Sequence, residues 1–171
     1  MGTSMASVSF RRTAQAQWPD VKTKIEEMFQ GLDGLVSNLD CEASGYAIVS
    51  PYGDMGMFLQ ELPEKISSLT GDYAVFAVCV DSDFCLTELY HNGVLLEKGC
   101  IGELYMDFDE FVDVQSMNVE LWKPLLQDSA NAEILNQALT GNEVFVEDQL
   151  RRISELTGLP IFVDELVYGD A

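Results

Sequence analysis

Hydrophobic positions recur along this chain at two spacings, and the alternation between them predicts its elements. The stretch WPDVKTKIEEMFQGL places Val21, Ile25, Met28 and Leu32 on one face of a helix. Pro19 suits its first turn, Asp20 lies at the positive end, and Gly31 and Gly34 mark its end. A second helix begins near Pro63, carries Leu62, Ile66 and Leu69 on its apolar face, and stops at Gly71. Leu121, Leu125 and Leu126 precede a break near Asp128 and Ser129, after which Ile134, Leu135, Ala138 and Leu139 lead to Gly141. The last helix, near 146–157, aligns Val146, Leu150, Ile153 and Leu156 and ends at Gly158.

Strand signals fill the intervals. ASVSFRR, residues 6–12, reads as a short strand or an ordered arm, and GYAIVS, residues 45–50, as an apolar strand. DYAVFAVCV is a near-continuous apolar run, the pattern of a strand covered on both faces, and is the expected central strand. In FCLTELYHNGVLLEKG two strands flank Asn92-Gly93, a pair suited to the positive φ angles of a type I′ turn. LPIFVDELV offers a final strand. ISSLTGDYAVF and ISELTGLPIF echo one another as helix end, glycine cap and strand. The resulting expectation is an α/β (α+β) fold in which a central, mainly antiparallel sheet, with a β-hairpin at 73–97, is packed by about four helices as a layered sandwich. Residues 1–171 form a single domain, with 115–171 as its helical C-terminal part and 1–5 as an expression remnant or a disordered segment.

Composition sharpens the functional side. Nine basic residues face 29 acidic ones, a net charge of −20. Arg11, Arg12, Lys22 and Lys24 lie in the first 24 residues, where Asp20 is the only acid, so the remainder is more negative still. Such a field repels phosphate backbones and anionic lipid and attracts cationic surfaces, so no nucleic-acid or membrane partner is expected and a basic protein is. The same acidity also keeps a protein soluble. A reduced, cytoplasmic setting is the expectation for Cys41, Cys79, Cys85 and Cys100, which lie in apolar contexts rather than in a disulfide framework.

Candidate chemistry is sparse, and no cofactor is implied. Zinc through Cys79, Cys85, His91 and Cys100 would need spacings unlike those of structural sites, and the glycines near PYGDMG lack a phosphate-loop pattern. Asp81 and Asp83 could hold a hard cation in a metal-dependent enzyme, the competing reading being a turn stabilised by local side-chain hydrogen bonds. Asp107, Asp109, Glu110 and Asp113 form an acidic stretch without EF-hand spacing, which suits a solvated turn or a contact surface for a basic partner. Tyr52, in a glycine-bearing loop, is a candidate interface anchor. Ser82 has no nucleophile elbow, and His91 would have to serve as base in any triad.

The segment ISSLTGDYAVFAVCVDSDFCLTELYHNG, residues 66–93, resembles the strand-rich centre of small acidic bacterial immunity-type proteins associated with polymorphic toxins. The resemblance implies a cytoplasmic inhibitor of a toxin enzyme with no chemistry of its own. By exclusion and surface charge, the function expected is a non-catalytic, acidic protein-binding domain, to which the resemblance adds an inhibitor of the immunity type. The alternatives are the Asp81/Asp83 metal enzyme and a homo-oligomeric structural protein.

Overall fold

The computed structural model of the protein describes residues 2–11, 18–30, 36–38, 45–50, 60–104, 113–162 and 164. Tyr52, Asp107, Asp109 and Glu110 lie outside these, as do Arg12 and Cys41. Among the described residues seven strands form one sheet: β1 (Met5–Arg11), β2 (Val36–Asn38), β3 (Gly45–Ser50), β4 (Tyr73–Val80), β5 (Phe84–His91), β6 (Val94–Gly102) and β7 (Gln115–Ser116). Their order is β2-β3-β1-β4-β5-β6-β7, so the expected central strand β4 is the fourth of seven. Every pairing is antiparallel except β6 with β7, which is parallel and two residues long.

The continuous apolar run of β4 is explained by two cores. Ala74, Phe76 and Val78 face one side, where Ala6, Val8 and Phe10 of β1 join Val21 and Ile25 of α1 (Trp18–Met28) and Leu62 and Ile66 of α2 (Leu62–Thr70). Val75, Ala77 and Cys79 face the other, beneath Trp122 of α3 (Val119–Trp122), Leu135 and Leu139 of α4 (Ala132–Thr140) and Leu150 and Ile153 of α5 (Val146–Thr157). A helix–sheet–helix sandwich follows, because a sheet apolar on both faces must be covered on both. The break expected near Asp128 is a 3₁₀ turn, Ser129–Asn131, started by the Asp128 carboxylate, which accepts the Ala130 N–H at 2.9 Å.

The β4–β5 and β5–β6 turns both use left-handed backbone. Asn92 and Gly93 have φ of 47° and 79°, as a type I′ turn requires, and Asp81 and Ser82 have φ of 50° and 64°. Gly71 and Gly158 cap α2 and α5 in the same left-handed conformation, which accounts for the internal echo. Among the described residues only the first glycine feeds a strand; residues 163 and 165–167 of the strand expected after Gly158 lie outside them. Residues 159–162 form no strand: Pro160 has no N–H, and the Ile161 N–H turns back to the Leu159 carbonyl at 2.8 Å. Leu159, Ile161 and Phe162 instead plug the second core as a bend, and the Ile161 carbonyl accepts the Ser7 hydroxyl at 2.8 Å. A fully buried apolar run has the same composition as a central strand, which is why the two look alike in sequence.

Candidate functional site

Three polar arrangements stand out among the described residues. The first is the Asp81-Ser82-Asp83 turn. Residues 2–4 run alongside it: Gly2 N–H donates to Asp81 Oδ1 at 2.8 Å, Thr3 N–H to Ser82 Oγ at 2.7 Å, and the Ser82 N–H to the Thr3 carbonyl at 2.9 Å. The Asp81 N–H donates to Ser4 Oγ at 3.0 Å. From the other side, the Ser82 hydroxyl donates to Glu147 Oε1 at 2.9 Å and the Ser82 carbonyl accepts the Val146 N–H at 3.0 Å, fixing the start of α5 on the turn. Ser82 is thus a buried structural hydroxyl. Glu147 Oε2 is buried with no hydrogen-bond partner.

This junction holds an apolar pair in solvent. Val144 and Phe145, immediately before α5, are 83% and 51% exposed. Asp81 and Asp83 are exposed on the turn that binds α5, while Glu143 and Asp148 flank the pair in sequence, with their side chains 46% and 51% exposed. Asp81 and Asp83 are brought to one turn, as the sequence suggests. No group of three or more His, Cys, Asp or Glu side chains suited to a metal occurs among the described residues. The strand register also separates the zinc candidates. Cys79 lies opposite Cys85, as expected, whereas His91 lies opposite Tyr73, six residues away along β4 and so roughly 20 Å distant. Burial, reinforced by Glu147, pushes the Cys79 thiol up to about 12, and burial also raises Cys85, which makes both poor nucleophiles. The His91 ring packs on Tyr73 with centroids 4.4 Å apart.

The second arrangement is a cleft of about 460 Å³ between the start of α2 and β5–β6. Glu88 and Tyr90 of β5, Leu95 and Lys98 of β6, and Gln60 line it. Lys98 pairs with Glu88, and Leu95 with Tyr90, across β5 and β6. A register shift between those two pairs leaves Leu96 as an extra residue, so Leu95 and Lys98 share a face although they are three apart. Glu88 is almost wholly buried, with its side chain only 2% exposed. Its carboxylate accepts Gln60 Nε2 at 3.3 Å and the Tyr90 hydroxyl at 3.5 Å, and Lys98 Nζ stands 3.7 Å away. Burial raises its pKa, against the opposing pull of Gln60 and Lys98. Burial and the neighbouring Glu88 carboxylate together push the Tyr90 phenol up to about 12.

The third is a clamp. Glu97 accepts the Trp122 indole N–H and the Asn118 backbone N–H, both at 2.8 Å, and ties β6 to α3. Asp113, with φ of 62° and exposed, lines a neighbouring groove of about 390 Å³ with Leu96, Leu121 and Asn118.

The Glu88 cleft was missed in the sequence, although one signal marks it: in FCLTELYH, Glu88 has the same strand parity as buried Phe84, Leu86 and Tyr90. Lys98 gave none, because the bulge at Leu96 sets its side. Val144 and Phe145 were missed because an apolar pair just ahead of an amphipathic helix carries no local sign of whether it is packed or exposed. Comparison with family models, with curated proteins and with solved structures returned no match.

Proposed function

We propose that the protein is a non-catalytic binding domain that docks a basic protein through the Val144–Phe145 pair at the Asp81-Ser82-Asp83 end of the sheet. The observation that carries this reading is a large apolar pair left in solvent beside the junction where the Val146 N–H meets the Ser82 carbonyl, on a turn whose Asp81 and Asp83 are also exposed. An exposed aromatic is costly to leave in water and is the residue type from which interfaces draw much of their energy. Asp81 and Asp83 would steer a cationic partner, Glu143 and Asp148 being paired with Arg152 and Arg151, and the net charge of −20 would extend that attraction. Several of the few cations are already paired with acids: Lys98 with Glu88, Lys123 with Glu120, Arg151 with Asp148 and Asp164, and Arg152 with Glu143. An inhibitor of the immunity type, acting in a bacterial cytoplasm on a basic enzyme, fits this description, and the acidic stretch through Asp107, Asp109, Glu110 and Asp113 would be a second contact.

The test is a pair of affinity captures from the native lysate at roughly 50 mM salt, with the native chain and the Phe145→Ala variant as baits. One basic protein held by the native chain and lost with the variant supports the reading. Identical capture by both baits removes Phe145 from any interface and defeats it.

A further inference from the structure

Glu88 presents a separate problem, independent of the partner reading. A carboxylate inside a protein is retained against a large desolvation cost and ordinarily receives short, charge-assisted hydrogen bonds of about 2.7–2.9 Å. Glu88 has none of that length: its three partners stand at 3.3, 3.5 and 3.7 Å. It nevertheless lies at the floor of an open cleft of about 460 Å³ rather than in a sealed core. Among the described residues the cation paired with it, Lys98, comes from the adjacent strand and keeps its side chain 25% exposed, so it can withdraw into solvent. Glu61 and Glu64, exposed at the start of α2, add two carboxylates to the lining, and Lys65 is its further cation among the described residues. Leu95 and the Tyr90 ring supply the apolar part.

We propose that this cleft binds the ammonium end of an alkylamine, with Glu88 receiving the charge and Leu95 and Tyr90 flanking the alkyl chain. The incoming ammonium replaces Lys98 and makes the short hydrogen bonds that Lys98 does not. The same chemistry is carried by a free small amine and by a lysine side chain of another protein.

The experiment is an NMR titration of the full chain with n-butylamine, with Nα-acetyl-lysine amide and with inorganic phosphate. Saturable shifts at the Tyr90 ring and the Glu88 side chain with an amine, and none with phosphate, are expected. Binding of both amines admits a lysine side chain as the source, and binding of butylamine alone restricts the site to free amines. Glu88→Gln should weaken amine binding about 10-fold or more while the backbone spectrum is retained. Lys98→Met removes the competing ammonium and should tighten binding by up to about fivefold; this arm decides the matter if Glu88→Gln does not fold. Non-saturable shifts, binding of phosphate in place of amines, native affinity in folded Glu88→Gln, or unchanged or weaker affinity in Lys98→Met overturns the proposal.

Discussion

At the scale of single residues, two glutamates on neighbouring strands show how context sets the cost of a buried carboxylate. Glu97 is satisfied by the Trp122 and Asn118 N–H groups, so Glu97→Ala strands two donors and loses two charge-assisted bonds. A loss of about 2–4 kcal/mol is expected in urea unfolding, accompanied by a change in tryptophan emission, and a loss within experimental error would remove the clamp from the account. Glu88 is the opposite case. Its folded pKa lies above the ordinary 4.5 because burial outweighs Gln60 and Lys98, so the folded chain holds this proton more tightly than the unfolded chain. Its favourable contribution is therefore fully present below 4.5 and disappears as pH rises through the folded value. Glu88→Gln keeps the shape without the ionisation. The stability of the variant relative to the native chain should therefore improve from acid toward neutral pH, read as the difference between two urea midpoints at each pH. A difference independent of pH would show that Glu88 ionises as it does in the unfolded chain.

At the scale of elements, the Ser82 network joins three segments that the sequence leaves unconnected: residues 2–4, the β4–β5 turn and the start of α5. Ser82→Ala removes an acceptor from the Thr3 N–H and a donor from Glu147, whose other oxygen already has no partner. A loss of about 2–3 kcal/mol in unfolding is expected, whereas Phe145→Ala on the adjacent exposed position should cost little. Equal effects would mean that Phe145 is packed rather than presented. The contrast also marks what the sequence could reveal. Local rules are legible: apolar parity defines both faces of β4, Asn92-Gly93 defines its turn, and Gly71 and Gly158 define two helix ends. Partners distant along the chain are not, because nothing near Ser82 announces Glu147, and nothing near Glu88 announces that Leu96 is an extra residue. The misread end of the chain follows the same logic. Leu159–Phe162 is apolar because it plugs a core, and a buried apolar run of that length looks the same whether it is a strand or a bend.

For the whole molecule, charge acts on folding and on association in opposite senses. A chain at −20 repels itself when compact, and the ion pairs among the described residues lie mostly at the surface, where each contributes little. Raising sodium chloride from about 50 to about 300 mM shortens the screening length to well under 10 Å and weakens repulsion between carboxylates on different elements. The melting temperature should therefore rise by a few degrees across that range, because the expanded unfolded chain carries the same charges further apart. A cationic partner steered by the same field should bind more weakly over the same range, so one salt series separates the two effects by sign. Neutralising the rim locally distinguishes them again: Asp81→Asn with Asp83→Asn neutralises the two carboxylates on the turn that binds the start of α5, and should reduce the salt dependence of partner binding while scarcely altering that of melting. A melting temperature flat or falling with salt would mean that the acidic residues lie too far apart to repel. The surface would then lack the concentrated field on which steering of a basic partner depends.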